Sequence, residues 1–267
     1  MSRWCPAAVI AVIALAPLAA PAVSSAKLVW SDEFNGRAGG RPNPSKWRYE
    51  GGTLRNGEEQ EYTSKPNNAT LDGHGHLVIT ARKEEDDGQP YTSACLISKR
   101  EWTYGRFEAR IKLPAGRGLW PAFWLVGYQW PAWGEIDMME NLGQDPFTAY
   151  GHIHGPIAWQ RPEGNWERGK AVHFSSSRSS WHVFGAVWRK GAITLTVDGR
   201  PYATYTPKTL GTGEEWTFNK PFFIILNMGV GGDWPGPPNA STRFPAHMLV
   251  DWVRAWSPAG PTRSSAK

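Results

Sequence analysis

The stretch Trp133–Asn141 reads WGEIDMMEN and is the most informative segment of this 267-residue chain. Successive side chains of a β-strand point to opposite faces, so Glu135 and Asp137 share one face and the apolar residues between them take the other. In a regular strand Glu140 would lie on the apolar face, because it is five residues from Glu135. One bulged residue near Met138–Met139 corrects the phase and brings Glu140 beside Asp137.

Three carboxylates in one row indicate a catalytic role, because a purely structural strand gains no stability from them. Burying like charges together is costly unless a proton is shared or the groove is wet. Hydrolysis of a glycosidic bond uses such an arrangement, because one carboxylate attacks the anomeric carbon and a protonated one gives its proton to the leaving oxygen. Glu135 and Glu140 are the expected pair, and Asp137 between them orients the nucleophile. The alternatives are a solvated edge strand, which does not need apolar neighbours, and a calcium loop, which would carry Gly and Asn between its ligands.

The segments around this strand predict an all-β fold in one domain, without internal repeats. The chain contains 29 Gly and 22 Pro, which favour turns over helices. We find no window of a dozen residues with a convincing helical stripe. Strands are predicted at Leu77–Arg82, Arg106–Leu113, Ala122–Val126, Trp133–Glu140, Trp181–Trp188, Ile193–Asp198, Phe222–Met228 and Met248–Trp256. We therefore expect an antiparallel β-sandwich.

The ends of the chain predict secretion. Residues 1–26 contain one charge, an apolar run and then small residues, which is typical of a signal peptide cleaved after Ala26. The catalytic domain is then expected over residues 27–257, and a flexible tail over residues 258–267.

Cleavage leaves Cys95 as the only thiol, which is expected to be a small buried apolar residue, so no internal disulfide is predicted. Both signs of charge are spread along the chain, so neither nucleic-acid nor membrane binding is expected.

The strand WGEIDMME resembles the E-I-D-x-x-E strand of glycoside hydrolase family 16, and more closely that of its laminarinase-type endo-β-1,3-glucanases. The similarity runs from Ser31–Gly36 (SDEFNG) to Val250–Trp256 (VDWVRAW). The resemblance implies a β-jelly-roll of two antiparallel sheets with a concave cleft. It also implies Glu135 as the nucleophile, Glu140 as the acid/base, Asp137 as their assistant, and retention at the anomeric carbon.

Further residues are expected to bind a sugar chain. The alternation places Trp120 and Trp124 on one face of a strand, as stacking platforms for pyranose rings, with Trp133 a weaker candidate. Arg110 lies on the polar face of its strand, where it could reach a sugar or a carboxylate, or be a solvated charge. The resemblance adds four expected binding residues: Asn56, His154 beside the acid/base, Asn227 and Trp234. The alternative for these positions is a purely structural role in a turn or in the core.

Several expectations rest on the resemblance alone. It implies a structural calcium ion with ligands at Glu33, the backbone of Gly73 and Asp251, and no cofactor required for catalysis. The expected partner is a β-1,3-glucan, bound by a monomer. Alternatives are a β-1,3-1,4-glucanase of the lichenase type, a galactan-cleaving relative, and a non-catalytic glucan-binding lectin on the same fold.

Overall fold

The computed structural model describes residues 26–258 apart from 54–55, 161, 163 and 175–179. The predicted signal peptide (1–26) and tail (258–267) therefore lie almost wholly outside the described residues. Within the part of the chain that is described, no helix has the length and apolar character needed to cross a membrane.

The described residues form seventeen strands and two short 3-10 helices. The strands are β1 (Leu28–Asp32), β2 (Trp47–Glu50), β3 (Gln60–Tyr62), β4 (Ala69–Leu71), β5 (Leu77–Ala81), β6 (Tyr91–Ser93), β7 (Cys95–Trp102), β8 (Gly105–Lys112), β9 (Leu119–Gly127), β10 (Glu135–Glu140), β11 (Thr148–Pro156), β12 (Asn165–His173), β13 (His182–Arg189), β14 (Ala192–Val197), β15 (Arg200–Tyr205), β16 (Phe222–Val230) and β17 (Ala246–Trp256). The 3-10 helices are Ala158–Gln160 and Pro207–Thr209.

The strands form two large antiparallel sheets. The seven-stranded sheet has the order β12-β11-β10-β9-β16-β7-β2. The eight-stranded sheet has the order β15-β14-β13-β8-β17-β5-β4, with β1 paired to β17. A short parallel pair, β3-β6, belongs to neither of these sheets. The predicted all-β sandwich is confirmed, and each of the eight predicted strands overlaps a strand of the structure.

The apolar core lies between the two sheets because one face of each strand is apolar. In β8 the alternation is as predicted, with Phe107, Ala109 and Ile111 all 0% exposed. Trp188 of β13 is also 0% exposed, and its ring centroid lies 6.4 Å from that of Phe107 and 4.8 Å from that of Phe222. Trp188 therefore joins the inner faces of both sheets.

A second, smaller apolar cluster lies outside this core. It contains Cys95, which is buried as predicted, and burial raises the pKa of its thiol far above the ordinary value. The other members are Tyr62, Ile97, Val126, Phe223 and Ile225, with Trp124 packed against them. Most of these residues belong to the central strands of the seven-stranded sheet, so an apolar layer lies beside the carboxylate row.

Replacement of the buried Trp188 should test this account of the core. We expect Trp188→Ala to lower the free energy of unfolding by about 3–5 kcal/mol, because it leaves a cavity between the sheets. The control is Trp159→Ala, because the side chain of Trp159 is 64% exposed and little burial is lost. Urea denaturation of both variants measures the difference, and equal losses would contradict the proposed packing.

Candidate active site

The carboxylate row lies on the face of the seven-stranded sheet turned away from the core, here called the carboxylate face. Ile136, Met138 and Met139 are 0% exposed and belong to the main core. Asp137 pairs with Trp124 of β9, whereas Met139 pairs with the next residue, Phe123, so Met138 is the extra residue of a β-bulge. The predicted bulge is confirmed.

The same register returns the third carboxylate to the face of the other two. Glu140 pairs with Ala122 of β9, which is two residues from Trp124, the partner of Asp137. Since residues two apart on β9 share a face, Glu140 lies on the same face as Asp137 and Glu135. The bulge thus brings three carboxylates to one side of one strand.

Glu140 is held by one donor from each neighbouring strand. The indole Nε1 of Trp120 on β9 donates to Glu140 Oε1 over 3.0 Å. The Nδ1 atom of His152 on β11 lies 2.7 Å from Glu140 Oε2, so these atoms share one proton. Burial lowers the pKa of His152, but the hydrogen bond and charge of Glu140 outweigh burial and raise it. Both oxygens of Glu140 are therefore oriented by protein groups.

The carboxyl groups of Glu135 and Asp137 lie close together, with one oxygen of each within 4.8 Å of the other. Burial raises the pKa of Glu135 well above its ordinary value, and repulsion by Asp137 adds to the effect. Burial also raises the pKa of Asp137, with repulsion by Glu140 second. Two adjacent carboxylates avoid this repulsion when they share a proton.

The two histidines of β11 differ from the prediction in their roles. His154 is expected to hydrogen-bond Glu140 or a sugar hydroxyl, and the structure gives the contact with Glu140 to His152 instead. The strand pairing explains the difference, because His154 lies opposite Glu135 and His152 opposite Asp137. His154 Nε2 instead lies 3.1 Å from Asp137 Oδ2 and 3.9 Å from Glu135 Oε1.

Aromatic rings surround the Glu140 end of the row. Trp234 is 38% exposed, and its ring centroid lies 5.6 Å from that of Trp120, 4.9 Å from that of Tyr150 and 5.6 Å from that of His152. The structure thus brings the predicted residues Trp120 and Trp234 together next to Glu140, with part of one ring open to solvent.

Trp124 and Asn227 are joined in a buried chain of hydrogen bonds. Trp124 Nε1 donates to Asn227 Oδ1 over 2.8 Å, and Asn227 Nδ2 donates to the hydroxyl of Tyr62 over 2.8 Å. Asn227 is 4% exposed and its amide is occupied at both ends. Asn227 therefore positions Trp124 and does not present its amide to a ligand, which corrects the expected role.

The structure separates the other predicted binding residues. Asn56 is exposed, and its carbonyl accepts a hydrogen bond from the backbone N–H of Asp233 over 2.8 Å, which places it beside the Trp234 loop. Trp133 packs against the main core. Arg110 reaches a carboxylate, as one of its predicted alternatives has it, because its Nη1 donates to Asp251 Oδ2 over 2.6 Å. It does not reach the carboxylate row, because β8 belongs to the eight-stranded sheet and Arg110 lies on its outer face.

The two side chains expected to bind calcium, those of Glu33 and Asp251, do not fit the ion as they are arranged. Glu33 forms a two-contact ion pair with Arg254, at 3.0 and 2.8 Å. Asp251 Oδ2 lies 2.6 Å from Nη1 of Arg110. Two guanidinium groups beside the two side-chain ligands would repel a cation and already satisfy these carboxylates.

Glu58 is a functional candidate that we did not single out from the sequence. Its Oε2 accepts a hydrogen bond from Gln60 Nε2 over 2.6 Å, and burial raises the pKa of Glu58 to about 7, with a smaller contribution from the charge of Glu140. Glu58, Gln60 and Tyr62 recur every second residue, and the last two are 0% and 1% exposed. This alternation, directly after Asn56, is the sequence signal that places Glu58 on the same face of the chain as Gln60 and Tyr62.

Glu58→Gln should change how stability depends on pH. A carboxyl whose pKa is raised on folding contributes stability below its unfolded pKa, and this contribution is lost as pH rises through the folded value. Wild-type stability should therefore fall by a few kcal/mol at most between about pH 4.5 and 7 on account of Glu58. Melting temperatures of both proteins across this range should show a flatter curve for the variant. Parallel curves would mean that Glu58 is ionised normally.

The comparisons with known proteins agree with this architecture. The model of glycosyl hydrolases family 16 matches residues 56–254. A β-glucanase from Rhodothermus marinus is 39% identical over 247 residues, which cover 86% of this chain and 85% of that protein. The solved catalytic domain of an endo-1,3-β-glucanase (laminarinase) from Thermotoga petrophila is 38% identical, has a TM-score of 0.80, and is matched over 89% of this chain and 100% of that one.

Other relatives are larger or differ in activity. A β-1,3-glucan-binding protein from Penaeus monodon is 33% identical over 173 residues, which cover 54% of this chain and 47% of that protein. The chain spans 36% and 38% of two further curated relatives, which are therefore much longer.

The two-sheet sandwich with a row of carboxylates on one open face defines a glycoside hydrolase. On the family match and the identity to its relatives, the chain belongs to glycosyl hydrolases family 16. The predicted resemblance and the jelly-roll fold are both confirmed.

Proposed function

We propose that this protein is a secreted, retaining endo-β-1,3-glucanase that hydrolyses laminarin-type β-glucans. The observation that supports the proposal best is the bulged strand β10, which puts Glu135, Asp137 and Glu140 on one face. The names of the relatives add the linkage, since they include a laminarinase and a β-glucanase.

The mechanism that follows is a double displacement. The carboxylate of Glu135 attacks the anomeric carbon while Glu140 donates a proton to the departing glycosidic oxygen. Water then attacks the glycosyl–enzyme intermediate, and Glu140 accepts the proton of that water. Two inversions give net retention. Trp120 and His152 stabilise the carboxylate form of Glu140 that exists between the two steps.

Asp137 is proposed to keep Glu135 ready for attack. We propose that the pair holds one proton and that this proton resides on Asp137, which leaves Glu135 as a carboxylate. Such a neutral Asp137 can donate a hydrogen bond to Glu135 and orient it. Asp137 is 2% exposed, so the proton is shielded from bulk water.

The aromatic rings near Glu140 suit a sugar chain. The exposed part of Trp234 offers an apolar face on which the C–H face of a pyranose ring can stack. Mixed-linkage β-1,3-1,4-glucan presents the same ring faces, and it is the closest alternative substrate.

We propose that the protein acts as a monomer and requires neither nucleic acid nor a membrane.

Secretion is proposed from the first 26 residues. When the full chain is expressed in a secreting bacterial host, the protein recovered from outside the cytoplasm should begin at Lys27. N-terminal sequencing measures this directly. Recovery of an intact N-terminus at Met1 would contradict the proposed cleavage after Ala26.

Glu135→Gln should abolish hydrolysis of laminarin. The amide keeps the shape of the side chain but is a poor nucleophile, so we expect a loss of at least about 1,000-fold in kcat/KM. Reducing-sugar release is measured on laminarin, barley β-glucan, xyloglucan and agarose for the wild type and the variant. Arg110→Gln is the control, because Arg110 lies on the other sheet, and its activity should equal that of the wild type.

The same digests separate the proposal from its alternatives. Proton NMR of the first product from laminarin should show the β-anomer, and the α-anomer would contradict the double displacement. Equal release from barley β-glucan would favour the mixed-linkage alternative. If no polymer is cut but laminarin binds, the protein is a lectin, an activity that the similarity to a β-1,3-glucan-binding protein favours.

A further inference from the structure

Two histidine rings lie beside the catalytic carboxylates. His152 and His154 are two residues apart on β11, and their side chains are 13% and 15% exposed. His152 Nε2 lies 3.5 Å from a carboxylate oxygen of Glu167 on β12, and His154 Nδ1 lies 4.0 Å from the other oxygen. Each ring therefore has carboxylate oxygens on both sides, from β10 and from β12.

The side chains form two overlapping sets of metal-ligating atoms. In one set, one atom each of Asp137, Glu140 and His152 lies within 4.8 Å of the others, and in the other set the same holds for Glu135, Asp137 and His154. Asp137 belongs to both sets. Imidazole nitrogen with carboxylate oxygen is a donor set that suits divalent zinc and related transition metals.

The spacing of the two rings also fits a single ion. Their centroids are 5.9 Å apart. Two imidazoles bound to one zinc ion through Zn–N bonds of about 2.0–2.1 Å have centroids roughly 5–6 Å apart. Neither set contains both histidines as the side chains stand, so one ion held by both rings next to Asp137 requires the rings to rotate.

Unsatisfied buried atoms provide an independent observation. Among the described residues, Asp137 Oδ2 and His154 Nδ1 are buried and have no hydrogen-bond partner. The two residues are close, with His154 Nε2 3.1 Å from Asp137 Oδ2, but the contact is not aligned as a hydrogen bond. A buried polar atom without a partner costs free energy, and a bound cation would satisfy this carboxylate oxygen.

The neighbouring strand leaves room for the ring of His152. Gly169 on β12 pairs with His152, and a Cβ atom at this glycine would lie 2.0 Å from Cδ2 of the ring. Any larger residue at this position would displace His152. Glu167 is 57% exposed, so the cluster is open to solvent on the β12 side.

We propose that Asp137, His152 and His154, with Glu135 or Glu140, bind one divalent transition-metal ion such as Zn²⁺, and that this ion reversibly inhibits the enzyme. A cation at Asp137 withdraws the carboxylates from the anomeric carbon and from the leaving oxygen. The ion also offsets the repulsion among the carboxylates, in place of the proton that Glu135 and Asp137 share without it. Inhibition rests on the proposed function, whereas ion binding does not.

The first experiment measures binding without reference to activity. The chain from Lys27 onward is freed of metal with a chelator and titrated with Zn²⁺ by calorimetry. Co²⁺ is added separately, because its visible absorption reports coordination by nitrogen and oxygen. We expect one ion per chain, and at least about tenfold weaker binding for His152→Gln and for His154→Gln. His74→Gln removes an exposed histidine elsewhere and should bind like the wild type.

The second experiment measures inhibition on laminarin. Zn²⁺ should inhibit the wild type with a midpoint equal to the calorimetric dissociation constant, and a chelator should restore full activity. Circular dichroism confirms that the variants are folded. Absence of one-to-one binding, or binding unchanged in both cluster variants, would overturn the site. A protein that binds the ion but cuts no polymer would overturn the proposed function and leave the metal site intact.

Discussion

The arrangement of the site depends on a single extra residue in strand β10. Without Met138 as the bulged residue, the side-chain alternation would direct Glu140 into the core between the sheets. With it, Met138 and Met139 are both buried in the core, and Glu140 joins Glu135 and Asp137. The same feature therefore keeps the core apolar and assembles the carboxylate row.

The row in turn creates an electrostatic problem that the neighbouring strands solve. Three carboxyls at one strand repel each other, and burial raises the pKa values of Glu135 and Asp137. A proton shared by that pair would remove one charge, and Trp120 and His152 bind both oxygens of Glu140. The site thus places two neighbouring carboxyls with raised pKa values beside a third carboxyl whose two oxygens are bound by donors.

Alternation along a strand does not reveal which sheet the strand joins or which residues lie opposite it. The alternation of β8 correctly placed Arg110 on a polar face, but it could not assign the strand to one sheet or the other. Spacing likewise showed that His152 and His154 share a face, but not which of them meets Glu140. Glu58 was missed because its carboxyl became unusual only through burial beside the carboxylate face. Glu33 and Asp251, the side chains expected to bind calcium, form ion pairs with arginines instead.

By itself, the sequence determined the strands with clear alternation, the bulge in WGEIDMMEN and the family. These are local properties, since side-chain alternation and its phase depend only on consecutive residues. Only the tertiary structure decided that His152 rather than His154 holds Glu140, that Asn227 positions Trp124, and that Arg110 lies away from the site. These contacts depend on strand register and on the order of strands in each sheet, which are set by pairing between residues distant in the chain.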